Sequence, residues 1–202
     1  EHNSSFVPDG IQKVVCTPYP SAVTKQNVER KPYGLFVGRL DPDKRIMEIL
    51  AYGLSCSHFE KFVVVGDGVL RKEVERVATT NPKLVYAGYQ ENVSRYYSEC
   101  MFLIHLQEHD PHPTVTMEAA LCGCYTVISK GVGTAYLFDK RFVVSDPTDV
   151  TAINNVITYL IQHPDEATTS LQNAVHNFPT QKSSLACFTH SFDTLVRSLD
   201  RT

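Results

Sequence analysis

MFLIHLQEHDPHPTVTMEAALCGCYTVIS, residues 101–129, holds two short apolar runs, MFLIHL and YTVIS, around a polar loop and an apolar stretch that ends at Gly123. Each run is rich in β-branched or aromatic residues and short enough to be a buried strand. The stretch beginning near Thr114 has the pattern of a short helix, so the unit reads strand, polar loop, helix, strand. In a parallel sheet this order puts the loop and the helix N-terminus at the carboxyl edge, where open α/β folds bind ligands. Two carboxylates lie in this region, Asp110 and Glu118, with seven residues between them.

The same rhythm extends to both sides. GLFVG at 34–38, KFVVVG at 61–66 and LVYAG at 84–88 read as earlier strands, and FVVSD at 142–146 as a sixth. Between them run helical patterns: from about Arg45, with Ile46, Ile49, Leu50 and Leu54 on one face; over 69–79, with Leu70, Val74 and Val77; and over Glu91 to Glu99. Asp146, before Pro147, reads as the N-cap of a helix through His163. Pro164 restarts a helix to about Phe178. Leu185, Phe188, Phe192, Leu195 and Leu199 form the apolar stripe of a last one. The expected fold is therefore α/β: a doubly wound, mainly parallel, six-stranded Rossmann-like sheet with helices on both faces and extra C-terminal helices. Residues 1–33, punctuated by Pro8, Pro18, Pro20 and Pro32, read as a lead-in with an edge strand at Lys13 to Cys16. The sheet domain spans 34–178. The apolar stripe within 179–202 follows the completed sheet, which suggests that it packs on a surface outside this chain.

Composition narrows the function. The chain has 202 residues and a net charge of −3, which argues against a general nucleic-acid surface. Phosphate recognition would have to come from a few placed cations and backbone amides. The cysteines, at 16, 56, 100, 122, 124 and 187, sit in or beside apolar runs without CxxC pairs, and read as reduced core thiols of a cytosolic protein.

The candidate chemistry lies in the turns after the strands. Gly38-Arg39-Leu40-Asp41-Pro42-Asp43-Lys44 places a planar guanidinium fork and a point charge in one loop, a pair suited to a diphosphate without a metal. Solvated charges at a helix start are the plainer alternative for this loop taken alone. Gly66-Asp67-Gly68 lacks the third glycine of a dinucleotide fingerprint and is weak by itself. A helix starting near Thr114 would aim free N–H groups at an anion. Glu118, one turn in, can accept from ribose hydroxyls or merely complement the helix dipole. His105, Glu108, His109, Asp110 and His112 are metal-ligand types in eight residues, yet a loop leaving a strand does not make them converge, and no metal is assigned.

GLFVGRLDPDK, VVVGDGVLRKEVE, LVYAGYQENVSRYYSECMFLIHLQ and DPHPTVTMEAALCGCYTVIS, in that order and spacing, resemble the C-terminal, donor-binding domain of family 4 (group 1) glycosyltransferases of the GT-B fold. The resemblance covers roughly Gly34 to His163. It implies a retaining, hexosyltransferase-type enzyme using a nucleotide-diphosphate sugar, such as a UDP- or GDP-sugar, with no other cofactor. By the same resemblance Arg39 and Lys44 hold the diphosphate, Asp110 contacts the donor sugar and Glu118 the ribose. Gly38, Gly66, Pro113, Thr114 and Val115 lie along the donor, and Tyr89 sits near the base. The acceptor, whether glycan, lipid or protein, would be held by an N-terminal domain of the full-length protein, so the isolated chain is expected to be inactive. Localisation is expected to be cytoplasmic, any membrane association residing in the rest of that protein. Three departures stand out: Asp110 where the family has Glu, Pro111 where Gly is common, and Arg45 where Gly often follows the Lys. They keep open a second reading, a non-catalytic nucleotide-sugar-binding or scaffolding domain descended from such an enzyme.

Overall fold

A computed structural model describes residues 23–111 and 113–177. Six strands form one sheet: β1 Lys31–Val37, β2 Lys61–Val65, β3 Leu84–Gly88, β4 Cys100–His105, β5 Tyr125–Ser129 and β6 Val143–Val144. Their order is β3-β2-β1-β4-β5-β6, and every pairing is parallel. The helices are α1 Ile46–Ser55, α2 Arg71–Thr80, α3 Ser94–Glu99, α4 Thr114–Leu121, α5 Val150–Gln162 and α6 Pro164–Asn177. This is the expected Rossmann-like architecture. None of the helices among the described residues is long and apolar enough to cross a membrane.

The apolar runs are strands because both faces of the sheet are covered, so alternate residues on each side are buried. Phe36, Phe62, Val64, Phe102 and Ile104 face one core with Ile46 and Leu50 of α1, Val74 of α2, and Ile153 and Ile157 of α5. Leu35, Val37, Val63, Val65 and Leu103 face the other with Tyr97 of α3 and Ala119 of α4. Each such fully buried side chain is stabilising by about 1.5–3 kcal/mol. The order reverses between β1 and β4: the chain builds outward from β1 to β3 and returns to pair β4 on the other side of β1. The loops after these two strands diverge and open a crevice at the carboxyl edge.

Several boundaries differ from expectation. The first strand starts at Lys31, and its irregular register on β4 between Lys31 and Gly34 accommodates Pro32, which has no N–H to give the ladder. The third helix begins at Ser94, because Asn92 Oδ1 accepts from Ser94 N at 3.0 Å and holds a turn before it. The fifth begins at Val150: Asp146 accepts from Thr148 N and Oγ1, and the cap is Asp149, which accepts from Ala152 N at 2.9 Å. The sixth strand shrinks to Val143–Val144, with only Ile128 and Ser129 opposite. The edge strand at Lys13 to Cys16 and the striped helix at Leu185 to Leu199 lie outside the described residues. Cys56, Cys100, Cys122 and Cys124 are buried and unpaired.

Candidate functional site

The carboxyl edge is built first from backbone. Gly66, just past β2, has φ +143°, and a Cβ on it would overlap the carbonyl oxygen of Gly38, just past β1. The two strand ends can therefore lie this close only with glycine at 66. Leu40 N donates to Asp67 O at 2.9 Å and Leu70 N to Leu40 O at 2.9 Å, which ties the two turns together. After β4 a second backbone clamp forms. Asp110 N donates to Gly131 O at 3.2 Å and Gly133 N to Asp110 O at 2.7 Å, while side chains at 131 and 133 would overlap the carbonyls of Glu108 and Pro111. Gly131-Val132-Gly133 is thus a positioning element that the sequence reading passed over. Its signal was two glycines flanking one residue directly after a strand.

Across the crevice, Lys44 Nζ donates to Asp110 Oδ2 at 3.0 Å and to Gln107 Oε1 at 3.1 Å. His105, at the end of β4 and only 3% exposed, places Nε2 at 3.3 Å from the same Asp110 oxygen, but without hydrogen-bond alignment. Burial pushes the Asp110 carboxyl up, yet His105 and Lys44 outweigh it and hold the group at about 2. Burial pushes the His105 pKa down; Asp110 opposes this and Lys44 reinforces it, and the net shift favours the neutral imidazole. The structure thus joins Lys44 and Asp110, both predicted, with His105 and Gln107. His105 had been weighed only as a metal ligand and Gln107 not at all.

Pro113 precedes α4 with extended backbone, and no side chain caps the helix. The first-turn N–H groups at Thr114 and Val115 therefore lack a side-chain acceptor among the described residues, which leaves a partial positive charge at the crevice. Thr116, in the same turn, is occupied otherwise, its hydroxyl lying 2.9 Å from Pro113 O and 2.8 Å from Thr134 Oγ1. One turn in, Glu118 Oε2 accepts from the Tyr97 hydroxyl at 2.9 Å. Burial raises the Glu118 pKa, against the hydroxyls of Tyr97 and Thr114. A carboxylate held this way is short of donors, and hydroxyls from a ligand would supply them. Tyr97 is a second residue the sequence did not signal, since its bond to Glu118 crosses between helices.

The other predicted residues are more scattered. Arg39 is 70% exposed and engaged by Asp41 Oδ2 at 2.7 Å and Asp43 Oδ2 at 3.7 Å; none of its described contacts reaches Lys44 or Asp110. Asp41, just before the short turn Pro42–Lys44, makes no side-chain cap bond to it and accepts instead from Val69 N at 3.3 Å. Tyr89 is 73% exposed just past β3. Arg45 has φ +53°, the left-handed conformation that favours glycine. That is the physical content of the glycine-to-arginine departure at this position. Of the five metal-ligand types between His105 and His112, His105 and Asp110 meet, and no group of three metal-binding side chains occurs among the described residues.

A family model described as "Glycosyl transferases group 1" matches residues 22–177. A GDP-mannose-dependent alpha-mannosyltransferase of Mycobacterium tuberculosis is 33% identical over 95 residues, covering 46% of this chain and 24% of that protein. Among solved structures, Anabaena HepE in complex with UDP-glucose superposes with a TM-score of 0.67 at 19% identity, covering 83% of this chain and 49% of that one. A TarM complex from S. aureus that contains UDP gives 0.71 at 13%, covering 86% and 38%. These two likenesses establish the fold, and in each comparison the match spans half or less of the other protein. With the family model covering the whole of the described sheet and its helices, the chain belongs to the group 1 glycosyl transferases.

Proposed function

We propose that this chain is the donor-binding half of a retaining glycosyltransferase and that its carboxyl edge holds a nucleotide-diphosphate sugar. The observation that carries the reading is the Lys44–Asp110 pair across the β1/β4 crevice, beside an α4 N-terminus that no side chain caps among the described residues. A diphosphate seated there meets Lys44, the N–H groups of Thr114 and Val115 and, once it turns from Asp41, Arg39. These charges suffice to neutralise a leaving diphosphate without a metal, and catalysis is electrostatic stabilisation with positioning. Gly38, Gly66 and Pro113 let backbone approach the donor. Glu118 accepts from the ribose hydroxyls, Asp110 from hydroxyls of the sugar, and exposed Tyr89 lies toward the base. The relatives' names point to both GDP-mannose and UDP-glucose, so the base stays unassigned. Acceptor binding belongs to an N-terminal domain of the full protein. The donor domain takes in the sheet and helices from Lys31 to Asn177, and residues 179–202 lie outside the described residues.

A thermal-shift screen of nucleoside diphosphates and their sugars tests the reading. A ligand at about 100 times its Kd adds about 2.7 kcal/mol to apparent stability, which raises Tm by roughly 5–10 °C in a domain of this size. No shift with any of them would refute the donor site. The second reading, a non-catalytic descendant, is favoured by Asp110 and by the strained Arg45. It shares the binding result and parts from the first only on sugar transfer by the full-length protein.

A further inference from the structure

We infer that His105 is a positioning residue for the donor sugar, pinning one oxygen of Asp110 so that the other is left for sugar hydroxyls. The inference rests on the donor-site reading above. A histidine closed into a core ordinarily has both ring nitrogens bonded, because an unpaired buried polar group is costly. Here neither nitrogen has an aligned partner among the described residues, and Nε2 lies 3.3 Å from Asp110 Oδ2. With Asp110 ionised, a lone pair on Nε2 would face a carboxylate oxygen, so the neutral ring carries its proton on Nε2 and its lone pair on Nδ1.

Oδ2 thus has two claimants, Lys44 at 3.0 Å and His105 at 3.3 Å, while Oδ1 has no partner among the described residues. The backbone of Asp110 is clamped by Gly131 and Gly133, so its side chain cannot advance to make up for being one methylene shorter than glutamate. When Lys44 turns to a diphosphate, it can no longer fix the Asp110 carboxylate by itself. His105, closed into the core at the end of β4, still holds Oδ2 in place once the carboxylate swings into line with its N–H.

The test is the affinity gained from the sugar. UDP against UDP-glucose, and GDP against GDP-mannose, are titrated into the chain and its His105→Leu and His105→Gln variants. Leucine removes the N–H. Glutamine puts an amide N–H near the position of Nε2. The expected result for His105→Leu is unchanged nucleoside diphosphate binding, within about twofold, and roughly tenfold weaker nucleotide-sugar binding, with most of the loss restored in His105→Gln. His105→Phe, which keeps a ring, replaces the leucine variant if that one does not fold. Equal weakening of diphosphate and sugar nucleotide would show a merely structural histidine and overturn the inference, as would unchanged binding of both or no recovery with glutamine. Failure of the unmodified chain to bind any of the four ligands would instead overturn the donor-site reading, and this inference with it.

Discussion

At the amino edge of the sheet, Arg30 donates to the carbonyls of Tyr97, Cys100 and Cys122 at 3.2, 2.6 and 2.7 Å, and Lys83 to those of Leu54 and Cys56 at 3.0 and 2.6 Å. At the carboxyl edge, Lys44 meets Asp110, Arg39 meets Asp41 and Asp43, and Arg45 approaches Glu108. The residue types are the same, but their partners are not. Arg30 and Lys83 close the open carbonyls of helix C-termini, where the helix dipole already favours positive charge and no ligand can replace those carbonyls, whereas Lys31 on the same edge pairs with the Glu99 carboxylate at the end of α3. Carboxyl-edge cations pair with carboxylates, and an incoming anion can take such a cation over. One edge is fastened, and the other is held ready.

The sharpest way to break this contrast is Arg30→Ala. It strands three carbonyls and should cost about 3 kcal/mol of stability in urea denaturation, while nucleotide affinity of the folded protein is preserved. A loss of affinity with intact stability would place Arg30 in the wrong class.

Glu118→Gln should do the reverse. It keeps the shape, removes a charge whose burial is unfavourable, and leaves stability at neutral pH equal or higher. Nucleotide-sugar affinity should fall about 10- to 100-fold, the worth of a charge-assisted hydrogen bond to a ribose hydroxyl pair. Isothermal titration checks the second figure and urea unfolding the first.

Acidification separates the two carboxylates of the site. Asp110, held at about 2, contributes stability that is fully present above its unfolded value near 4 and is lost as pH falls toward 2. Glu118 is shifted the other way, so its ionised form costs stability, and that cost disappears as pH drops through its folded value. Sugar-nucleotide affinity should weaken over this second range, because ribose hydroxyls favour the ionised form. The expected outcome is an affinity loss on mild acidification that is absent in Glu118→Gln, measured by titration across pH.

The smallest effect is expected at Arg45→Gly. Relief of the left-handed strain is offset by the greater freedom of glycine in the unfolded chain, so stability should move by less than about 1 kcal/mol. A larger loss in urea unfolding would mean that the Arg45 guanidinium, near Glu108, matters more than its backbone.

The strands were legible because burial on both faces leaves continuous apolar runs, as in KFVVV at 61–65. That Lys44, Asp110 and Glu118 would stand at or beside the carboxyl edge was legible from the strand, loop and helix order around them. Helix starts were less so. Asp146 and Asp149 are the same residue type three apart, and only the folded chain shows that one makes a turn and the other the cap. Gln107 and Tyr97 stayed hidden because their partners come from other elements, and His105 was legible only as a metal-ligand type. An arginine gives no local sign of a left-handed backbone, and Arg45 was notable only against a family glycine.

The most direct test of the central claim is calorimetric titration of UDP and GDP into the chain and into Lys44→Ala. The account predicts saturable binding of at least one of them, weakened about tenfold or more in the variant by loss of a charge-assisted contact to the diphosphate. Equal affinity in both proteins, or no binding to either, would contradict it.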